Sequence, residues 1–468
     1  MLFSHLLFLY VFMPALFLAY FLIKNNTYRR IVLTAFSLLF YAWGEPVAIF
    51  LMIGLVLGDY LFGLLIDHVY TAMAKRLWLI AAIAFNLSIL GVYKYLGFFT
   101  ETFNMIFHAQ VPVISLTMPI GISFFTFQTM SYVIDVYRDD AKVQKSFFTL
   151  LLYVSFFPQL IAGPIVRYKD IEEQLADRHV EVKDFNDGIF RFAVGLAKKV
   201  LIADCCGLAV TSLYGLTDVT FVSRWAGALF YTLQLYFDFS GYSDMAIGLG
   251  RMFGFRFLEN FNYPLISRSA TEFWRRWHMS LGTFFRDYVY IPLGGNRHDQ
   301  QRNILVVWFL TGLWHGASWN FILWGLYYAV LLMWEKSSLL KTFEKMPKPV
   351  SFVTSHAYAL FVTVFGFAIF YFDTNLLKNL GYLFGFGCTA VTDIFTNSVI
   401  FDNLILLLAA LFFSVPVIPT LWKKLTQSGK MPYFAERILK TVVVVGFITA
   451  ASIRLVGNSY SAFLYFRF

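Results

Sequence analysis

A histidine set in a long apolar run is the first residue here with chemistry in it. His315 lies in the run Trp308 to Asn320, with apolar residues for many positions on both sides. Ionisable groups are costly at membrane depth, so any that occur there are candidates for function. An imidazole takes up a proton near neutral pH without first being strongly perturbed, which suits a general base. Gly312 and Gly316 remove bulk beside it, so that a substrate or a neighbouring backbone can approach closely. Tryptophans at 308, 314, 319 and 324 surround it, and the basic stretch before it carries a second histidine, His278, within Glu272-Phe-Trp-Arg-Arg-Trp-His278-Met-Ser-Leu281. The plainer readings are a core hydrogen-bonding residue for His315 and an interfacial imidazole snorkelling beside its arginines for His278. The combined surroundings favour a reactive centre.

A second signal is the absence of lysine. From Val200 to Glu335 every basic side chain other than histidine is arginine: 224, 251, 256, 268, 275, 276, 286, 297 and 302. The guanidinium fork matches phosphate bidentately, whereas positive-inside topology would accept lysine equally well. A phosphate-bearing donor on the cytoplasmic side would explain the choice, and so would anionic lipid headgroups. Arg275, Arg276 and Arg286 are the candidate donor contacts, with Trp314 and Asn320 beside His315. Asp238 and Asp244, in an otherwise apolar segment, can orient a histidine or pair with an interior arginine, and pairing is favoured because a buried acid needs a partner whatever the function. The remaining histidines, 5, 68, 108, 179, 298 and 356, have no comparable setting. There is no Walker loop, GxSxG, HExxH or dinucleotide fingerprint. Cys205, Cys206 and Cys388 have no metal-ligand spacing, so no structural metal and no required disulfide are expected.

The elements that must position these residues are helices in a membrane. Hydrophobic residues make up 59% of the 468, charged residues 14%, and mean hydropathy is +0.65, which excludes a water-soluble fold of this size. The net charge of +9 comes from basic residues in short loops, where topology accounts for it without nucleic acid. Apolar runs predict an all-α polytopic protein with about eleven spans, near 2–23, 29–43, 47–69, 77–95, 116–136, 200–215, 225–250, 303–335, 355–373, 400–421 and 438–456. The first is read as a retained helix rather than a signal peptide. Lys24/Arg29/Arg30, Lys75/Arg76 and Arg138 to Lys145 fall on one side, making that side cytoplasmic and the N-terminus external. Phe147 to Val166, apolar but interrupted by Pro158 and Gly163-Pro164, reads as a re-entrant hairpin. Within 259–302 the stripe Phe273, Trp277, Leu281, Phe284, Tyr288 predicts one amphipathic interfacial helix, with Arg275, His278 and Arg286 on another arc. The chain reads as a single domain, 1–468, with its motifs in about 116–335 and C-terminal helices in about 355–468.

Several separated runs, in order, resemble the membrane-bound O-acyltransferase family, and within it the bacterial alginate and peptidoglycan O-acetyltransferase branch. They are Met118 to Phe124, Phe157-Pro158-Gln159, Ile161 to Ile165, Asp238-Phe-Ser-Gly-Tyr-Ser-Asp244, Glu272 to Leu281, Trp314-His315-Gly316 and the closing Phe463 to Phe468. The resemblance implies a helical fold around a central funnel or tunnel in a bacterial inner membrane. It also implies that His315 matches the family's catalytic histidine and His278 its second conserved polar position. Such proteins pass an acyl group from a cytoplasmic thioester, here expected to be acetyl-CoA or an acyl-carrier protein, towards an outer acceptor, commonly with a separate extracytoplasmic transferase or polysaccharide-export partner. No tightly bound cofactor is implied. A related branch transfers D-alanine to teichoic acid. The rival from another class is a transporter or flippase that does no chemistry.

Overall fold

The structure is a computed structural model, which describes residues 1–114, 116–427, 432–457 and 463–464. Among these the protein is helical, with a single isolated β-bridge, Thr220 to Ala390. The chain forms two compact units, Met1–Phe192 with Tyr242–Leu258, and Ala193–Gly241 with Glu259–Phe468.

In the first unit the helices Ala48–His68, Ala72–Leu90 and Ile122–Tyr137 pack together around polar groups as well as apolar ones. Asn86 donates to both carboxylate oxygens of Asp59, at 2.8 and 3.0 Å, and Thr129 donates to Asn86 at 3.0 Å. Without water at membrane depth such groups must satisfy one another, and this triad ties the three helices at one level. Phe147–Ser155 and Phe157–Leu160 are separated by a break at Phe156 and are each too short to cross a bilayer.

Among the described residues four helices are long and apolar enough to cross a membrane: Ala48–His68, Ala72–Phe107, Lys348–Tyr371 and Phe434–Gly457. The expected span at 400–421 is instead a pair, Ile394–Asp402 and Leu404–Phe413, bent by 52°, and would make a fifth. The expected span at 303–335 is also broken. It is two helices, Gln300–His315 and Trp319–Trp334, joined by Gly316 to Ser318. At about 1.5 Å per residue, 16 residues reach about 24 Å, short of a hydrocarbon core of about 30 Å. His315 is therefore the last residue of a helix, at the tip of a hairpin, and not the middle of a span.

The hairpin closes because its glycines let two backbones touch. A Cβ on Gly312 would collide with the carbonyl oxygen of Phe321, one on Gly325 with that of Trp308, and one on Gly316 with the Phe321 ring. What approaches Gly312 and Gly316 is thus the opposite arm of the hairpin. Gly325→Ala is expected to destabilise the protein by about 1–3 kcal/mol through overpacking. A thermal midpoint unchanged from wild type would count against this close approach.

Candidate active site

His315 is only 6% exposed and is enclosed by three rings set edge-on to it: Trp314 at 5.0 Å, Trp324 at 5.0 Å and Phe370 at 5.2 Å between centroids. Asn320, in the first turn of the second arm, donates to the Phe370 carbonyl at 2.9 Å, so the hairpin tip is pinned to the end of the Lys348–Tyr371 helix that supplies the third ring. An aromatic enclosure of this kind fixes an imidazole and excludes water, which strengthens any electrostatic interaction made there.

His278 contacts the same indole, at 5.9 Å from Trp314, and lies edge-on to Phe239 at 4.6 Å. The expected amphipathic helix is broken at this residue. Ala270–Arg276 and Met279–Phe285 are separate short helices, and His278 between them has φ 45°, ψ 52°, a left-handed conformation uncommon for a non-glycine residue. Left-handed backbone at a bulky residue persists only where the surroundings over-determine it. Here Asn260 does so: its carbonyl accepts from Met279 N at 2.9 Å, and its side-chain Oδ1 accepts from Ser280 N at 3.2 Å and Ser280 Oγ at 2.9 Å. The apolar stripe is nevertheless buried on both sides of the break, at Phe273, Trp277, Leu281 and Phe284.

The same asparagine sets the imidazole's tautomer. The Ser280 backbone N–H identifies the facing atom of Asn260 as an acceptor, so His278 Nδ1, 3.1 Å from it, is the donor and Nε2 is the basic nitrogen. Burial pushes the imidazole down from its ordinary 6.5 to about 3, so it is neutral at physiological pH. Because the folded pKa is lowered, the unfolded chain binds the proton more readily, and stability present above about pH 6.5 is lost as pH falls towards 3. The thermal midpoint of wild type is expected to fall between pH 6.5 and 4.5 more steeply than that of His278→Gln. Parallel pH profiles would contradict this placement of the proton.

The other expected residues are placed as follows. Arg275 is exposed; Arg276 pairs with Glu272 at 2.9 Å and reaches the Asn262 carbonyl at 3.2 Å; Arg286 pairs with its neighbour Asp287 at 2.7 Å. With the helix broken, Arg275 and Arg286 lie on different elements and share no arc. Asp238 is 1% exposed and sits 2.7 Å from Lys199, which also meets Asp204 at 2.7 Å, while Leu464 N donates to Asp238 at 2.8 Å. Of the closing run Phe463 to Phe468, residues 465–468 lie outside the described residues. Asp244 pairs with Arg191 at 2.9 Å, in the first unit, whereas the two histidines are in the second. Asp244 thus has the expected arginine partner, whereas the partner of Asp238 is a lysine.

Sequence reasoning passed over three residues. Asn260 gave no local sign, since it meets His278 from 18 positions away. Lys199 fell just outside the predicted span. Glu335 closes the apolar run Trp319 to Trp334, and a carboxylate there was a usable signal. It is fully buried and accepts from Ala270 N, from Thr271 N at 2.8 Å and from Thr271 Oγ1 at 2.6 Å, capping the short helix that leads to His278.

The family model of membrane-bound O-acyltransferases matches residues 77–344, which include both histidines. The probable alginate O-acetylase of Pseudomonas putida is 37% identical over the whole of both chains. The peptidoglycan O-acetyltransferase of Helicobacter pylori is 38% identical over 71% of this chain and 70% of its own. The teichoic acid D-alanyltransferase of Bacillus subtilis is 30% identical over 58% of this chain and 74% of its own.

Proposed function

The chain belongs to the membrane-bound O-acyltransferase family, and on that premise we propose that it moves an acetyl group from a cytoplasmic thioester to a hydroxyl acceptor for O-acetylation of an extracytoplasmic polysaccharide. The observation that carries the reading is the pair of buried imidazoles, His315 and His278, against one indole, Trp314, with His315 at a hairpin tip. A conduit needs no such pair. D-alanyl transfer is less favoured, since the D-alanyltransferase relative is similar over a smaller part of this chain.

In the proposed reaction His315 removes the proton from the acceptor hydroxyl as its oxygen attacks the thioester carbonyl. The C–S bond breaks, and the imidazolium returns the proton to the departing sulfur, leaving an ester and a free thiol. The surrounding rings exclude the water that would otherwise hydrolyse the thioester. His278 holds the substrate: with Nδ1–H committed to Asn260, its Nε2 accepts a hydrogen bond from the acceptor hydroxyl or a donor amide. In its neutral form it is not a donor to a developing oxyanion. The donor is acetyl-CoA or an acyl-carrier thioester, with Arg275 and Arg286 as exposed candidates for its phosphates. The shorter helices and the histidine hairpin complete a membrane body of about eleven segments around a central funnel, in a bacterial inner membrane with the N-terminus external. A separate extracytoplasmic transferase or polysaccharide-export partner finishes the transfer.

Ester formation tests this reading. Membranes holding the protein, an acetyl-labelled CoA and the polysaccharide machinery of the source cell should yield alkali-labile label on polymer. Label that stays on the donor, with acetyl-CoA and with acetylated carrier protein alike, would reject it.

A further inference from the structure

Three arginines converge in the first unit without a carboxylate among them. Arg29 and Arg30 lie in the opening turns of the helix Asn26–Ala42, whose Thr27 and Tyr28 N–H groups donate to the Asn25 side chain and whose dipole disfavours cations at this end. Arg178 comes from the loop after the helix Tyr168–Ala176 and is only 4% exposed. Tyr20 joins them: Arg29 stacks over its ring at 5.0 Å, and Arg178 Nε donates to its hydroxyl at 3.3 Å, the hydroxyl passing its own proton to the Phe253 carbonyl at 3.1 Å. The Arg178 guanidinium also lies over Phe255 at 4.8 Å.

These contacts leave donors over. Arg178 Nη2 and Arg29 Nε are buried and meet no acceptor among the described residues. Arg30 reaches only the hydroxyls of Thr149 at 3.4 Å and Thr27 at 3.3 Å, both long. The nearby acid, Asp177, is engaged by Asn26 at 2.7 Å and approaches His179 at 3.8 Å, and it pairs with none of the three arginines. Burial lowers the proton affinity of the Arg178 guanidinium; Tyr20 offsets part of this, and the charges of Arg30 and Arg29 act in the same direction as burial. A buried cation held beside two others at a helix N-terminus is unfavourable unless an anion completes the arrangement.

We propose that Arg29, Arg30 and Arg178 form a phosphate-binding site. A carboxylate offers two oxygens in one plane, whereas a phosphate presents several acceptors in three dimensions and suits guanidinium forks arriving from different elements. The phosphate belongs either to a lipid headgroup or to a soluble phosphate compound such as CoA. The site does not rest on the acyl-transfer reading and stands apart from the histidine hairpin in sequence and in unit.

The test is the thermal midpoint of the purified full-length protein in neutral detergent, at fixed ionic strength, with phosphatidylglycerol, phosphatidylcholine, CoA or inorganic phosphate added. Phosphatidylglycerol is expected to raise the midpoint above the phosphatidylcholine control, and Arg29→Gln/Arg30→Gln should need about tenfold more of it or lose the response. A response confined to CoA or inorganic phosphate would support the site and assign it a soluble phosphate. Arg178→Lys, which keeps the charge and loses the fork, is the second variant and should weaken the same response. No rise with any of the phosphate compounds, or an undiminished response in both variants, would overturn the proposal.

Discussion

Replacing His315 with glutamine is expected to lower acyl transfer by about 10²–10⁴-fold while leaving the protein inserted and folded. Glutamine fills similar space and retains hydrogen-bonding capacity within the cage of Trp314, Trp324 and Phe370, so packing should survive, whereas proton uptake at this position is lost. Alanine would remove the base and also open a cavity inside the rings, mixing a stability loss with the chemical one. The measurement is the initial rate of ester formation, normalised to protein recovered in the membrane. A glutamine variant within a few-fold of wild type would remove His315 from the chemistry and restore the reading of a satisfied core histidine.

The second large effect is structural. Lys199→Met is expected to destabilise the protein by about 3–5 kcal/mol, since it strips the cation from Asp238 and leaves an uncompensated charge in a buried site. The Lys199 side chain is 5% exposed and serves two carboxylates, Asp238 and Asp204. Lys199→Met/Asp238→Asn should recover part of the loss, because neutralising the acid costs less than burying it unpaired. Recovered protein and thermal midpoint, read for single and double variants together, check both statements. A single variant as stable as wild type would mean that the pair is solvated and contributes little.

How far the chain could be read from its letters depends on how local each feature is. Apolar runs located helices wherever a run is long and unbroken, as at Ala48–His68 and Lys348–Tyr371. They failed at 303–335 because Gly-Ala-Ser, the connection between the two arms, is too apolar and too short to look like a turn inside such a run. Length was the available signal, since 33 residues exceed the roughly 20 that a crossing needs. Spacing found the buried stripe around His278 but not the break in it, because side chains on either side of a single left-handed residue can still face the same core. The two histidines were legible from residue type and setting. What fixes them was not: Asn260, the Phe370 ring and the Glu335 cap come from elsewhere in the chain and meet the site only once it is folded. The acids were legible as needing partners, yet nothing local to Asp238 identified Lys199, some 39 positions earlier.

The central claim is that this protein breaks a thioester and uses His315 to do so, and release of free thiol from acetyl-CoA by the purified protein tests it most directly. Wild type and His315→Gln are compared side by side, each with a hydroxyl acceptor and the extracytoplasmic partner supplied, and with an acetylated carrier protein as a second donor. Thiol release by wild type that falls by at least about 10²-fold in the variant is the predicted result. Equal release by both proteins, or none by wild type with either donor, would contradict it.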